Sequence, residues 1–248
     1  MGPKDYLYDL FVHDLTGPLS VVSATADNLL RRLDCGTLTE AQKSSLERIA
    51  RNAKKAQHLL KEILDVARSE EQLFQEDHFY PERVAKEALA NVMDLATAGA
   101  GDTLERLEDK EQVRSFLCEK GISLEVSGRY AASPFHHDRR KVQLILQNLM
   151  SNAMKYRRQR MDIAINGDND LVILVSDDGC GIPEGEQKVV YKRFMQLKHD
   201  DLQIQPQGLG LGLFCVKALL DTMKGEIAVR SQTGCGTTFT VKIPPLTI

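Results

Sequence analysis

The chain has 248 residues, of which 42% are hydrophobic, 27% charged and 6% aromatic, enough for one or two domains with an apolar core. The 32 basic and 35 acidic residues leave a formal net charge of −3, which argues against nucleic-acid binding through a broad basic face. No run of about 18 apolar residues is present, so no membrane contact is expected from this part of the protein.

The five cysteines are odd in number, and no two of them have the C-x-x-C spacing of a zinc site. This pattern fits neither a disulfide framework nor a structural metal centre, and it favours a reducing, cytoplasmic location. The N-terminus also lacks an apolar signal segment. Tethering to a membrane through segments upstream of Met1 is left open.

Apolar residues recur every three or four positions between Asp5 and Asp34, which is the spacing of an amphipathic helix. Pro18 predicts a kink there, because proline removes a backbone hydrogen bond and crowds the preceding turn. Thr39 and Gln42 form the capping-box pattern that begins a second helix. The apolar positions of the two helices are Tyr8, Phe11, Leu15, Leu19, Val22, Ala26, Leu29 and Leu33, then Leu46, Ile49, Ala53, Ala56, Leu60, Ile63 and Ala67.

The two helices, joined by the short loop from Cys35 to Leu38, predict an antiparallel helical hairpin over residues 1–72. A single hairpin cannot bury both apolar seams, so two copies are expected to form a homodimeric four-helix bundle. Packing of the hairpin on the rest of the chain is the alternative. His13 lies two residues from the apolar positions on either side, which predicts that it faces solvent.

From Phe79 onwards the pattern changes to helices that alternate with short strands. Mainly antiparallel strands in this order predict an α+β protein, in which residues 73–248 form an α/β sandwich. The predicted helices are Pro81 to Ala96, Arg139 to Tyr156 and Leu211 to Met223, and the predicted strands are Ile122 to Val126, Met161 to Ile165, Leu171 to Val175, Gly225 to Arg230 and Thr237 to Ile243.

One face of the helix from Arg139 to Tyr156 carries polar groups suited to a nucleotide. Asn148, Asn152 and Lys155 follow one another at steps of four and three, so they share that face. Amides and an ammonium group can hold a hydrated magnesium ion and phosphate oxygens. A polar helix face of this kind is common and is weak evidence alone. The motifs that follow it along the chain make the interpretation as a nucleotide site more specific.

Three glycine-containing motifs lie further along the chain than this helix. The motif from Asp177 to Ile182 places a carboxylate before a double-glycine turn, where it can accept from an exocyclic amine beside a flat ring. The motif from Gly208 to Leu213 opens a helix whose free N–H groups suit a polyphosphate. The tight turn from Gly234 to Thr237 lies at the end of the sheet. The candidate residues in these motifs are Asp177, Gly179, Gly181, Gly208, Gly210, Gly212 and Thr237.

The order of these motifs resembles the catalytic core of sensor histidine kinases over nearly the whole chain. In the F box of this sequence, tyrosine stands where the first phenylalanine is usual. The segments that carry the resemblance are His13 to Leu19 (phosphoacceptor box), Leu146 to Tyr156 (N box), Asp177 to Ile182 (first glycine box), Tyr191 to Phe194 (F box) and Gly208 to Leu213 (second glycine box).

The resemblance implies ATP-dependent autophosphorylation of His13. Its Nε2 would attack the γ-phosphate while Asp14 holds the Nδ1 proton. The phosphoryl group would then pass to an aspartate in the receiver domain of a separate response regulator. Related ATPases of the gyrase and heat-shock type carry a water-activating glutamate where this sequence has Asn148, so the resemblance favours a kinase over a hydrolase.

The resemblance also implies a site for ATP and Mg²⁺ in the C-terminal domain, completed by Thr237 and the glycines of both glycine boxes. The other implied ligands are Asn152 for magnesium with Asn148 in support, Lys155 for the phosphates, Tyr156 beside the base, Asp177 for the adenine amine, and Arg193 in a lid over the triphosphate. Two other classes stay open: a pseudokinase scaffold that dimerises and signals by contact, and a stand-alone ATPase switch.

Three features depart from the family's pattern. Gly17 stands four residues after His13, where threonine or asparagine usually positions water for dephosphorylation of the regulator. Weak phosphatase activity is therefore expected, unless Thr16 substitutes. The segment 97–117 resembles an insertion with a helical part, expected to be a solvated excursion, with contact to a partner or to the helical bundle as the alternative. The run from His136 to Asp138 is interpreted as a strand end and helix cap rather than a metal site.

Overall fold

The computed structural model describes residues 19–26, 39, 41–46, 48–49, 53, 74–97, 99–192 and 211–246. Within the hairpin, residues 19–26, 41–46 and 48–49 are helical. The predicted capping box is confirmed, because the Thr39 N–H donates to Gln42 Oε1 at 2.8 Å and the Gln42 N–H donates to Thr39 Oγ1 at 3.3 Å. The predicted site residues that lie outside the described ranges are His13, Asp14, Arg193, Gly208 and Gly210.

All of the helices and strands predicted from residue 79 onwards are present. Short 3₁₀ turns lie at Arg129–Ala131 and Glu184–Glu186. The elements are β1 Glu76–Phe79, α1 Pro81–Ala96, α2 Ala100–Arg106, α3 Lys110–Glu119, β2 Ile122–Val126, β3 Phe135–Asp138, α4 Arg139–Tyr156, β4 Met161–Asn166, β5 Leu171–Asp177, α5 Gly212–Thr222, β6 Glu226–Gln232 and β7 Gly236–Ile243.

The main sheet has five strands in the order β2-β4-β5-β7-β6. The β2–β4 pair is parallel and the other three pairs are antiparallel, so the prediction of mainly antiparallel strands is confirmed. Every second residue of β4 and β5 is buried, which is the period of two expected when one face of a sheet is covered. Helices α4 and α5 cover this face and α1 packs on α4, which makes the predicted α/β sandwich.

A second sheet of two strands, β1 and β3, was not predicted. These strands pair antiparallel, with Phe79 opposite Phe135 and their rings edge to face at 5.9 Å between centroids. Strand β3 ends at Asp138. The Oδ1 atom of Asp138 accepts from the backbone N–H groups of Arg140 at 3.0 Å and Lys141 at 3.1 Å. The interpretation of this run as a strand end and helix cap is therefore confirmed.

The segment 97–117 contains the short helices α2 and α3, so the predicted helical character is confirmed as two helices. The expectation of a solvated excursion is wrong for its apolar residues, since Leu104 is 0% and Leu117 2% exposed, both within the core. Polar contacts add to this packing, because Lys86 donates to the Leu107 carbonyl and the Gly101 N–H donates to Asp94 Oδ1 at 2.7 Å. Among the described helices, none is both long and apolar enough to cross a membrane.

Candidate nucleotide-binding site

Helix α4 carries the polar face that the sequence predicts. Its buried side consists mainly of apolar residues packed toward the sheet, while Asn148, Asn152 and Lys155 are half-buried. The Asn148 amide donates from Nδ2 to the Leu144 carbonyl at 2.9 Å, which fixes the side chain against its own helix. The Oδ1 atom of the same amide faces the start of α5, where a Cβ placed on Gly212 would lie only 2.7 Å away.

The end of α4 lies against the first glycine motif. The Lys155 Nζ atom lies over the Tyr156 ring at 4.7 Å from its centroid. The Tyr156 carbonyl abuts Gly179 so closely that a Cβ on this glycine would overlap it. The last turn of the N-box helix and the first glycine motif therefore form one continuous surface.

Asp177 is the last residue of β5 and lies opposite Thr237 of β7 in the sheet. Its Oδ1 atom accepts from the Gly179 N–H at 2.8 Å. Burial raises the pKa of Asp177, and hydrogen bonds from the Gly179 and Thr237 backbone N–H groups lower it by less. The half-buried carboxylate is thus held at the end of the central strand β5, where it can accept a hydrogen bond from a bound ligand.

Ser231 ties the first glycine motif to the β6–β7 turn, and sequence reasoning missed it. Its Oγ atom accepts from the Ile182 N–H at 2.7 Å and donates to the Gly236 carbonyl at 2.8 Å. The same hydroxyl lies 2.9 Å from Thr237 Oγ1. No sequence signal could have found it, because Ser231 faces Thr237 only through the register of β6 and β7.

Asp178 has a different task from its neighbour Asp177, which sequence reasoning also missed. Its carboxylate accepts from the backbone N–H groups of Arg158, Gln159 and Arg160 at 2.9 to 3.1 Å. Burial raises the pKa of Asp178, but these hydrogen bonds outweigh it and hold the pKa below its ordinary value. Asp178 therefore fixes the loop between α4 and β4 through these backbone hydrogen bonds.

The structure thus brings together most of the predicted nucleotide residues that it describes. Asn148 meets Gly212, Tyr156 meets Gly179, and Asp177 lies opposite Thr237. The N box, the first glycine box and the end of the second glycine box therefore converge at one end of the sheet. The ligand role of each residue stays a prediction.

Tyr191, where the family's F box usually has phenylalanine, has a buried hydroxyl group. Its Oη atom has no hydrogen-bond partner among the described residues, and burial raises its pKa. A buried donor without a partner costs about 1–3 kcal/mol. Tyr191→Phe is therefore expected to raise the free energy of unfolding by about 1 kcal/mol, measured by urea denaturation.

A matched control is Tyr130→Phe. The Tyr130 hydroxyl donates to the Asn169 carbonyl, so this variant should lose stability where Tyr191→Phe gains it. A loss of stability in Tyr191→Phe would show that its hydroxyl makes a favourable interaction.

Two families match the sequence. Residues 11–72 match the His Kinase A (phospho-acceptor) domain, and residues 137–247 match the histidine kinase-, DNA gyrase B- and HSP90-like ATPase family. The two matches, in this order, support a sensor histidine kinase catalytic core. The first match contains His13, and the second contains every predicted nucleotide residue. The ATPase match supports the predicted binding of ATP.

Curated relatives agree with this assignment. The chain is 32% identical over 243 residues to the circadian input-output histidine kinase CikA of Synechococcus elongatus, an alignment that covers 95% of this chain and 29% of the relative. It is 26% identical over 247 residues to the sensor protein SrrB of Staphylococcus aureus, covering 97% and 38%. The chain thus spans less than two fifths of the length of either relative.

Solved histidine kinases share the fold. Full-length ShkA, crystallised in complex with AMPPNP, superposes with a TM-score of 0.66 at 20% identity over 98% of this chain and 46% of ShkA. The histidine kinase AdeS of Acinetobacter baumannii gives a TM-score of 0.55 at 20% identity over 93% of this chain and 98% of AdeS.

Proposed function

We propose that this sensor histidine kinase uses ATP to phosphorylate His13 and passes the phosphoryl group to an aspartate of a response-regulator receiver domain. The observation that carries the proposal is that a phosphoacceptor segment containing His13 precedes a domain in which the N box and glycine motifs converge. Asp14, the next residue in the sequence, holds the Nδ1 proton of His13, which leaves Nε2 as the nucleophile.

The same proposal assigns the nucleotide ligands. Asp177 accepts from the adenine amine and Tyr156 flanks the base, while Lys155 binds phosphate oxygens. Asn152 holds Mg²⁺ with support from Asn148, and these amide oxygens are the hard ligands that Mg²⁺ accepts. Mg²⁺, when bound, neutralises phosphate charge. Arg193 and the glycines of the two glycine boxes complete the site, with Thr237 at the sheet end.

Asn148 favours transfer to histidine over transfer to water. An amide cannot take a proton from an attacking water molecule, and its Nδ2 already donates to the Leu144 carbonyl. Because no carboxylate at this position activates water, His13 is the main nucleophile that attacks the γ-phosphate.

We also propose that residues 1–72 form the dimerisation and phosphoacceptor domain and residues 73–248 the ATP-binding domain. Ala26 and Ala53 are buried, whereas Val22 and Ile49 are 44% and 46% exposed. Val22, Ile49 and Ala53 line an open groove together with Leu19. A second copy of the hairpin would cover them in a four-helix bundle.

The test is incubation of the purified protein with Mg²⁺ and γ-labelled ATP. Phosphohistidine is labile in acid and stable in alkali, so the label should have that profile and should be absent from His13→Ala. His78→Ala, which removes an exposed histidine of β1, should keep the label. A wild-type protein that binds nucleotide but takes no label would support the pseudokinase scaffold instead.

Gly17 gives a second expected outcome, in the hydrolysis of the phosphorylated regulator. Glycine has no side chain that can position a water molecule, so the wild-type protein is expected to dephosphorylate its regulator slowly. Gly17→Thr is expected to raise the rate at least about tenfold, measured as phosphate loss from a purified phospho-regulator. Thr16→Ala is the control, and a large loss of activity in this variant would show that Thr16 positions the water.

A further inference from the structure

Two cysteines outside the predicted ligand set lie on turns that touch each other. Cys180 belongs to the first glycine motif after β5, and Cys235 belongs to the turn between β6 and β7. The Gly234 N–H, next to Cys235, donates to the Cys180 carbonyl at 2.6 Å. None of the four described cysteines is in a disulfide.

The backbone contacts continue on both sides of the two cysteines. A Cβ placed on Gly181 would lie 3.1 Å from the Thr233 Cα, and one placed on Gly236 would lie 3.0 Å from the Asp178 Cα. Cys180 and Cys235 are thus held at neighbouring positions on facing turns. Such proximity is the first requirement for a disulfide.

The two thiols differ in reactivity in a way that suits a two-step exchange. Cys235 is exposed, whereas Cys180 is half-buried and its burial raises the pKa of its thiol. Because the thiolate is the nucleophile, the exposed Cys235 is the thiol that meets an external disulfide first. Cys180 then has the role of the resolving thiol.

We propose that Cys180 and Cys235 form a reversible disulfide with a low-molecular-weight disulfide such as oxidised glutathione as the oxidant. The Cys235 thiolate attacks one sulfur of the oxidant, forms a mixed disulfide and releases one glutathione thiolate. Cys180 then attacks the Cys235 sulfur and releases the second glutathione. The two protein thiols lose two electrons and two protons, and the oxidant becomes two glutathione thiols.

The bond also regulates the nucleotide site, a consequence that rests on the proposed function. Cys180 follows Gly179, whose N–H donates to Asp177 Oδ1. A disulfide requires a Cβ–Cβ separation of about 4 Å, so drawing the half-buried Cys180 toward the exposed Cys235 pulls on this hydrogen bond. The oxidised protein is expected to bind a non-hydrolysable ATP analogue at least about tenfold more weakly.

The covalent step is tested by mass spectrometry of the full chain after oxidation by glutathione disulfide and tryptic digestion without reduction. Peptides 161–188 and 231–242 each contain one cysteine, Cys180 and Cys235 respectively. A linked pair of these peptides, lost after reduction, is the expected result. Peptide 115–120 should carry only glutathione on Cys118, which is exposed on α3. Glutathione alone on Cys235 in the wild-type protein would overturn the proposal.

Variants separate the disulfide from the nucleotide effect. Cys118→Ser should keep the linked peptides, whereas Cys180→Ser should leave Cys235 as a mixed disulfide. Cys235→Ser should bind nucleotide as the reduced wild-type protein does and should keep that affinity in oxidant. Unchanged affinity of the cross-linked wild-type protein would overturn the regulatory step. Absence of nucleotide binding in the reduced protein would instead count against the proposed function.

Discussion

Replacing Gly179 by alanine is expected to weaken binding of a non-hydrolysable ATP analogue at least about a hundredfold. The new Cβ would overlap the Tyr156 carbonyl oxygen and would lie 2.6 Å from Asp177 Oδ1. Backbone at the end of α4 cannot yield easily, so the turn and the carboxylate must move. The Gly179 N–H that now donates to Asp177 at 2.8 Å would then lose its acceptor. Isothermal titration calorimetry measures the affinity directly.

A matched control lies six residues further along the chain. Gly185 has no atom within 4 Å of the position its Cβ would occupy, so Gly185→Ala should bind the analogue as the wild-type protein does. Thermal denaturation of both variants distinguishes loss of the site from loss of the fold. A folded Gly179→Ala protein with wild-type affinity would show that Asp177 does not hold the adenine amine.

The bounds of helices and strands whose apolar residues repeat at a regular spacing were predicted well. Helix α4 and strand β2 begin and end at the predicted residues, because Asp138 is a clear cap and the apolar residues recur at the period of the element. Asp177 lies at the end of a buried strand and before two glycines, as the sequence predicts, and its role as a ligand stays a prediction. Such signals lie within a few residues of each other, so they do not require the tertiary structure to be known.

Features that depend on distant residues were not predicted. Strand β1 has exposed residues at Glu76, Asp77 and His78, and it exists because β3 pairs with it across the chain. Leu104 and Leu117 lie among charged residues, and only packing against α1 and the neighbouring elements shows that they belong to the core. The bridging role of Ser231 follows from the register of β6 and β7, which no local pattern gives.

His137 shows how this tertiary packing produces a pH dependence. Its side chain is 1% exposed, with the Phe135 ring stacked on it at 5.8 Å and the Phe74 ring edge-on at 5.6 Å. Its Nδ1 atom accepts from the Asp138 N–H at 2.8 Å, which requires the neutral ring. Burial lowers the pKa of His137 from 6.5 to about 4, with the Asp138 charge opposing this shift and Lys141 adding to it.

The expected result is a loss of stability in acid. The unfolded chain protonates His137 near pH 6.5 and the folded chain only near pH 4, so between these values the unfolded state holds more protons. The contribution of neutral His137 to the free energy of unfolding is therefore fully present above pH 6.5. It falls by about 3 kcal/mol as the pH drops to about 4. Urea unfolding across this range measures the change. Subtracting the profile of a His137 variant removes the contribution of the carboxylates that titrate in both proteins.

Two substitutions at His137 separate titration from packing. His137→Gln keeps an acceptor for the Asp138 N–H, and His137→Phe keeps the ring between Phe74 and Phe135. Neither side chain titrates, so both variants should lose the same part of the pH dependence although their stabilities at neutral pH differ. If only one variant flattened the profile, the dependence would come from a broken contact rather than from protonation of the imidazole.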